Sequence, residues 1–395
     1  MSFDMLQTMA VGILSLLLGG FLNRKSRFLT HFCIPSPVTG GIIFSLLTLL
    51  IHNVGGIEIS FDSTLTDVCM VMFFTTVGFQ SDFTAFKRGG KQLVVMVLLV
   101  ALLVTLQNVI GVGVARALDV NPLLGMAAGS ITMCGGHGTG AGFSSLLEVK
   151  GLPSAMTVLM ASATFGLLGG SLLGGPLAES LIRRKHLAGN ENEGNEDGEW
   201  SVQEDDSTKG TGNHTKAIFE IFLAAGIGTL VSKLLALTGI TFPTYFGALI
   251  AAVIIRNVAE IIPGCPKPSM PEITSIGNIS LSLFLGMAMV SLKLWELSGL
   301  ALPVLIILAV QVTVMALFAR FVAFHMLGGN YDAAVLVGGI CGFGLGATPN
   351  AMANMSAVCR RFHYAQMPFI VIPVVGAMFV DIINIGVITL FLNWL

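Results

Sequence analysis

Long apolar runs separated by short polar segments follow one another along most of this chain. Runs such as 92–114 and 300–317 approach or exceed the ~20 residues that a membrane-spanning helix needs. They do not alternate apolar with polar positions, as the ~10-residue strands of an outer-membrane barrel do. The pattern predicts an all-α polytopic membrane protein with ten helices, at about 5–23, 37–54, 66–80, 91–117, 153–182, 217–238, 244–262, 275–291, 300–321 and 366–394.

Two further apolar stretches, 121–149 and 331–358, are interrupted in their middle by glycine-rich motifs. The first motif is C-G-G-H-G-T-G-A (134–141), and the second is G-F-G-L-G-A-T-P-N (342–350). Non-helical backbone at membrane depth is tolerated only where protein or a water-filled cavity satisfies its polar groups. The stretches are therefore predicted to be re-entrant hairpins whose tips expose backbone to a ligand.

The one long hydrophilic segment, 185–215, is rich in acidic residues, glycine and asparagine. This composition is typical of a disordered linker. It divides the chain into an N-terminal membrane unit, 1–184, and a C-terminal membrane unit, 216–395.

The two units carry matching residues, which indicates an internal repeat. The broken segments and the long helices before them correspond in order, although each individual match is short. The matches are Gly129, Ser130, Ile131 and Thr139 with Gly338, Gly339, Ile340 and Thr348, 209 residues later, and Gln107 and Arg116 with Gln311 and Arg320, 204 residues later.

Basic residues predict the orientation of the repeats. With the N-terminus outside, sixteen of the twenty Lys and Arg residues border the cytoplasm, in agreement with the positive-inside rule. The linker is then cytoplasmic and both termini are outside. The count holds only if one hairpin enters from outside and the other from inside. We therefore expect two inverted-topology repeats, each with five transmembrane helices and one re-entrant hairpin, an arrangement typical of secondary transporters.

Composition narrows the possible functions. Charged residues make up 11% of the chain and the net charge is −2, so no nucleic-acid partner is indicated. The six cysteines are scattered without paired spacing, which favours buried thiols over metal ligands or disulfides. Residues 5–22 lack a basic region before them and a cleavage site after them, so we expect a membrane helix rather than a signal peptide.

The hairpin tips predict a site for an anion together with a cation. A half-helix that begins at a tip presents free N–H groups, which suit a carboxylate, while carbonyl and hydroxyl oxygens suit Na⁺. We expect Thr139 and Thr348 to cap the second half-helices, with Pro349 in the first helical position. The candidate substrate-binding residues are Ser130, Gly135, Gly136, His137, Gly138 and Thr139 in the first hairpin, and Gly344, Gly346, Ala347, Thr348, Pro349 and Asn350 in the second.

Polar side chains within the apolar segments are the candidate Na⁺ ligands. Asp381 is a functional candidate because a carboxylate inside a membrane helix is costly, although it can also serve as a structural partner for hairpin N–H groups. Helix–helix hydrogen bonds explain the amides as well as ligand contacts do. The candidate ligands are Asp381, Asn384, Asn108, Asn278, Thr132 and Asn354.

His137 has two interpretations. It contacts the substrate or a coupled proton, or it is a neutral histidine bonded to the loop's own backbone. A zinc site is not indicated, because no second ligand stands at the required spacing. No cofactor is predicted other than a coupling ion, and the nucleophile and nucleotide-loop motifs that an enzyme would need are lacking.

These motifs resemble the bacterial glutamate:Na⁺ symporter family, the ESS family. The resemblance rests on G-S-I-T-M-C-G-G-H-G-T-G-A (129–141) and G-F-G-L-G-A-T-P-N-A (342–351), with support from N-I-S-L-S-L-F-L (278–285) and G-G-N-Y-D-A-A-V (328–335). Cys134 replaces a usual serine and Asn350 a common threonine. The likeness extends over the chain except for the linker.

The resemblance implies uptake of L-glutamate driven by Na⁺, an elevator-type movement, and a homodimer in the bacterial cytoplasmic (inner) membrane. Because half-helix N-termini recognise any carboxylate, a proton- or sodium-coupled carrier of another amino acid or a dicarboxylate stays open as an alternative. A channel can also use re-entrant loops, but inverted halves favour alternating access.

Overall fold

The structure is a computed structural model. It describes residues 2–31, 34–56, 59–81, 90–187, 214–237, 242–243, 245–262, 266–297 and 299–395. Most of the predicted linker, 188–213, lies outside these residues. The described part is helical apart from turns and a two-residue parallel pairing of Ser2–Phe3 with Ser60–Phe61.

The described residues of the first half form four long helices, one short helical turn, a broken hairpin and a long final helix. Asn121 caps the hairpin, since its side chain accepts a hydrogen bond from the Leu123 N–H. The helices are α1 (Met5–Lys25), α2 (Arg27–His31, a short surface turn), α3 (Ser36–Gly55), α4 (Thr64–Gln80), α5 (Gly90–Ala117), α6 (Pro122–Ala127), α7 (Ser130–Met133), α8 (Gly136–Val149) and α9 (Ala155–Arg184).

The second half repeats this order of elements. Asn330 caps its hairpin through a hydrogen bond from the Ala333 N–H. The helices are α10 (His214–Ala236), α11 (Phe246–Ile261), α12 (Met270–Val290), α13 (Ala301–Leu317), α14 (Phe324–Met326), α15 (Tyr331–Gly344), α16 (Thr348–Arg361), α17 (Gln366–Val374) and α18 (Val380–Trp394), with π-helical turns at Phe318–Ala323 and Val375–Phe379 and a 3₁₀ turn at Leu294–Leu297.

All ten predicted membrane helices are present as helical elements. By length and apolarity, seven helices of the described residues can cross a membrane: Met5–Lys25, Ser36–Gly55, Gln92–Ala117, Ala155–Arg184, His214–Ala236, Met270–Val290 and Ala301–Met326. The others are shorter or segmented. The final helix differs most from expectation, because it is divided by the π-helical turn Val375–Phe379 just before Asp381.

The helices form two groups. One, which we name the panel, contains α1, α3, α4, α10, α11 and α12. The other, the core, contains α5, α9, α13, α17, α18 and both hairpins. Packing partners correspond between the halves. In the panel, the α1–α3 pair corresponds to the α10–α11 pair, and the α3–α12 pair corresponds to the α11–α4 pair. In the core, the α5–α18 pair corresponds to the α13–α9 pair.

The bases of the two hairpins lie at opposite ends of the core. At the first base, the Asn121 amide donates to the Gly151 carbonyl (2.8 Å), and Lys150 donates to the carbonyl of Leu392 at the chain's end. At the second base, Arg361 pairs with Glu179 (2.6 Å), near the C-terminal end of α9. Since α9 begins beside the first base, the hairpins enter the bundle from opposite directions.

Candidate functional site

The two glycine-rich tips meet in the interior of the core. Gly136 has a φ of +62°, which L side chains rarely adopt, and a Cβ added there would lie 3.1 Å from the Gly346 carbonyl oxygen. The carbonyl of Leu345 approaches Gly166 of α9 closely enough that a Cβ at Gly166 would lie 2.3 Å away. Glycine is therefore favoured where the first tip approaches the second and where the second tip approaches α9.

Neither second half-helix has a side-chain cap, and the predicted capping is wrong at both threonines. Helix α8 begins at Gly136 after Gly135, so Thr139 lies inside the helix. Helix α16 begins at Thr348 after Ala347, so Thr348 is the first helical residue. The positive ends of both half-helices therefore carry no capping oxygen.

Ser130, at the start of α7, is held by two asparagines from neighbouring helices. Its N–H donates to Asn108 Oδ1 of α5 (3.2 Å), and its carbonyl accepts from Asn384 Nδ2 of α18 (2.9 Å). Ser130, Asn108 and Asn384 are all buried. The structure thus brings together three of the residues that the sequence singled out.

This cluster leaves polar atoms unsatisfied. Ser130 Oγ, Asn384 Oδ1 and Asn108 Nδ2 are buried and have no hydrogen-bond partner among the described residues. A buried polar atom without a partner costs ~1–3 kcal/mol. Ser130 Oγ and Asn384 Oδ1 are oxygens, and their two residues are hydrogen-bonded to each other. Neutral oxygen ligands of this kind suit a hard monovalent cation such as Na⁺.

Asp381 lies one turn before Asn384 and is linked to the first hairpin. The Thr139 hydroxyl donates to the Asp381 carboxylate. The same long helix also touches the second hairpin, since a Cβ added at Gly376 would lie 2.5 Å from Thr348 Oγ1. Asp381 therefore places a negative charge beside the Ser130 cluster, within a helix that contacts both hairpins.

Two glutamines from α5 and α13 join the halves. Gln107 Nε2 donates to the Gly344 carbonyl at the end of α15 (2.7 Å), and Gln311 Nε2 donates to the Gln107 carbonyl (2.7 Å). Both are buried, and neither Oε1 has a partner among the described residues. The sequence left two interpretations open for such amides, helix–helix hydrogen bonds and ligand contacts. The structure shows hydrogen bonds between helices for both glutamines.

Asn350 and Asn354 attach α16 to helix α9. Asn350 Nδ2 donates to the Leu167 carbonyl (3.0 Å) and Ser171 Oγ (2.9 Å), while Asn354 Nδ2 donates to the Gly170 carbonyl (3.0 Å). Asn350 Oδ1 is buried without a partner in the described structure. Both asparagines therefore fix the second hairpin on α9, and Asn350 also carries this unpaired oxygen.

His137 bonds to a side chain rather than to the loop's own backbone. Its Nε2 lies 3.0 Å from Thr164 Oγ1, whose hydroxyl donates to the Met160 carbonyl (2.8 Å). Because that hydroxyl's one proton is already committed, His137 Nε2 must carry a proton and donate it. The partner Thr164, on α9, was not among the predicted site residues.

Some predicted residues lie apart from this centre. Asn278 is exposed on α12 of the panel, not beside Ser130, so its assignment to the same Na⁺ site is not supported by its position. The Thr132 hydroxyl donates to the Ala127 carbonyl (2.6 Å), within the hairpin. Gly138 faces the panel, where an added Cβ would lie 3.2 Å from Phe73 Cε1. Pro349 is exposed at the start of α16.

Tyr245 of the panel is a site-adjacent residue that the sequence reasoning missed. It is fully buried, stacks on Phe74 at 3.8 Å between ring centroids, and contacts Phe143 edge-to-face at 6.3 Å. A Cβ at Gly142 would lie 2.6 Å from its Cε1, so the ring is pressed against the first hairpin. A lone tyrosine beside an apolar run gives no sequence signal for this role.

The architecture is that of a polytopic α-helical membrane protein whose two broken hairpins meet in its core. A family model described as sodium/glutamate symporter matches residues 1–364. The sodium/glutamate symporter of Escherichia coli K12 is 43% identical over 394 residues, covering 98% of this chain and 97% of that protein. The one of Haemophilus influenzae is 40% identical over 391 residues, covering 97% and 96%. The chain belongs to the sodium/glutamate symporter family.

Proposed function

We propose that this protein is a secondary active transporter that takes up L-glutamate together with Na⁺ by alternating access, and that it is not an enzyme. The observation that carries the proposal is the meeting of the two hairpin tips beside buried, unsatisfied oxygens, in a chain of this family. The relatives' names favour sodium and glutamate over the proton-coupled or dicarboxylate alternative.

Na⁺ binds in the interior of the first hairpin, at Ser130 of α7, in this proposal. Ser130 Oγ and Asn384 Oδ1 are the ligands, because both are buried oxygens without a donor. Asp381 contributes negative charge from the adjacent turn of its helix and holds Thr139 in place. Asn108 orients Ser130 by accepting a hydrogen bond from its backbone N–H (3.2 Å), and the second lone pair of the Asn108 Oδ1 leaves it a candidate Na⁺ ligand.

Glutamate binds between the tips. One carboxylate lies at the uncapped N-terminus of α16, where the helix dipole favours negative charge. Thr348 supplies the N–H there, because the Ala347 N–H already donates to the Gly342 carbonyl (3.1 Å). Asn350 Oδ1 supplies an acceptor for the substrate's ammonium group. The cation and the anion then stabilise each other, because both occupy the same region of low dielectric constant.

The inverted repeat is supported by three features of the fold. The order of elements is the same in both halves, their helix pairs correspond, and the hairpin bases lie at opposite ends of α9. From the family resemblance we infer that the core moves against the panel in an elevator-type motion. A homodimer in the bacterial inner membrane, with both termini outside and the 185–215 linker cytoplasmic, completes the proposal.

Transport by purified protein in liposomes tests this function. Radiolabelled L-glutamate should accumulate inside only when an inward Na⁺ gradient is imposed, and collapsing the gradient should release it. Equal accumulation driven by a proton gradient in Na⁺-free buffer would contradict the proposal. Dissipating each gradient separately with a selective ionophore distinguishes the two outcomes.

A further inference from the structure

Two grooves lie on the panel at related positions. The first, the outer groove, has a volume of about 560 Å³ and lies between α4 and α10, where Met70, Val71 and Phe222 contribute to its lining. The second, the inner groove, has a volume of about 420 Å³ and lies between α12 and α1, where Asn278 and Ile279 contribute.

The lining residues correspond between the halves of the chain. Ile13 and Leu16 of the inner groove lie 209 residues before Phe222 and Ala225 of the outer groove, since 222 − 13 and 225 − 16 are both 209. On the partner helices, three outer-groove residues lie 208 positions before three inner-groove residues. These pairs are Asp67 with Ser275, Met70 with Asn278, and Val71 with Ile279.

The grooves differ in what covers them. Helix α8, the second arm of the first hairpin, contributes Gly142, Ser145 and Leu146 to the outer groove. Tyr245 presses on this arm beside the groove. The inner groove has no lining residue from either hairpin in the described structure.

The inner groove exposes the polar side chain of Asn278 in the middle of a membrane helix. Asn278 is the ninth residue of a 21-residue helix, and it is exposed beside Ser275 and Ser282. An unpaired amide in lipid is costly, so this groove needs a polar cover or water. In the outer groove the corresponding residue is the apolar Met70.

The matching arm of the second hairpin, α16, has a free face that fits this role. Pro349, Ala353 and Ala357 of α16 are exposed. They lie 211 residues after Gly138, Gly142 and Leu146 of α8, the positions that face the panel or line the outer groove. This interval replaces the 209 residues of the sequence match for these two arms, because Thr139 lies inside α8 whereas Thr348 begins α16. The buried positions correspond at the same interval, as with Phe143 and Asn354 or Ser144 and Met355.

We infer that α16 docks into the inner groove in the opposite state of the transport cycle, and that the present structure is the state open to the inside. The inference rests on the proposed alternating access. In the present state α8 covers the outer groove and the inner groove is open; in the other state α16 lies on α12 and covers Asn278. The small residues Ala353 and Ala357 allow the close approach that Gly142 allows in α8.

Two matched cysteine pairs test whether α16 docks into the inner groove during transport. They are introduced into a variant whose native cysteines are replaced by serine or alanine. The pair Val71→Cys with Ser145→Cys joins the outer groove to α8. The corresponding pair Ile279→Cys with Ser356→Cys joins the inner groove to α16. Leu230→Cys with Ser356→Cys is the control, since Leu230 is exposed on another helix of the panel.

The first pair should react with a cleavable bismaleimide without substrate, whereas the second should react only during turnover with Na⁺ and glutamate. Reaction of the second pair should stop transport, and cleavage of the reagent should restore it. If the Ile279–Ser356 pair never crosslinks while that variant transports glutamate like its parent, the docking inference is wrong and the transport function stands. Failure of the parent to transport glutamate would contradict the proposed function instead, and the crosslinks would still decide the docking.

Discussion

Replacement of Gly136 tests whether the backbone of the first tip is required for binding. Its φ of +62° costs an L-residue ~1–2 kcal/mol, and a β-branched side chain more. If that strain falls on the binding-competent conformation, Gly136→Ala should weaken glutamate binding about 5–30-fold. Gly136→Ala and Gly136→Val both place a Cβ 3.1 Å from the Gly346 carbonyl oxygen. Gly136→Val adds two methyl groups at this Cβ and should abolish measurable binding while the protein is still expressed.

Calorimetry in saturating Na⁺ measures this effect. Gly175→Val is the matched control, because no atom lies within 4 Å of a Cβ added there. Gly344→Val should weaken binding less than Gly136→Val, since a Cβ at Gly344 meets the flexible ends of Leu103 (2.8 Å) and Met315 (3.2 Å). Normal glutamate binding by Gly136→Val, with loss only in Gly344→Val, would refute the shared site between the tips.

Three further predictions concern Na⁺ coupling, the second tip and the topology. Asp381→Asn should raise the Na⁺ concentration needed for half-maximal uptake, whereas exposed Asp119→Asn should not; an unchanged Na⁺ activation curve would make Asp381 structural. Gln107→Leu leaves a buried carbonyl of the second tip unpaired, at ~1–3 kcal/mol, and should lower glutamate affinity more than Gln311→Leu, as measured by calorimetry; equal losses would contradict this reading. A cysteine at Trp200 in a cysteine-free variant should react with an impermeant maleimide only after permeabilisation, and labelling in intact cells would overturn the proposed topology.

The helices and hairpins were predictable because a membrane-spanning helix requires a long apolar run. An apolar run of about 20 residues has few alternatives to a helix, and glycine-rich interruptions at corresponding positions mark the hairpins. The bonds between Ser130, Asn108 and Asn384 were only partly predictable. The sequence identified each as a polar group in an apolar setting, but residues more than 250 positions apart meet only through the tertiary fold.

The errors have equally physical causes. A threonine followed by proline usually marks a helix start, but here Ala347 occupies the cap position and Thr348 instead faces Gly376. The assignment of Asn278 to Na⁺ stays a prediction; its exposed position on α12 was not predictable, because polarity alone does not reveal which face of a helix points to the core. Tyr245 and Thr164 gave no signal, since their importance depends on Gly142 and His137 from distant segments.

The linkage between Na⁺ and glutamate binding tests the shared site most directly. Glutamate is titrated into purified protein in Na⁺, and then in K⁺ or choline at the same ionic strength. The account predicts that glutamate affinity rises with Na⁺ concentration and, by reciprocity, that glutamate raises Na⁺ affinity by the same factor. Asn384→Ala should reduce that factor, because it removes a proposed Na⁺ oxygen. Equal glutamate affinity in Na⁺ and K⁺ would contradict the account.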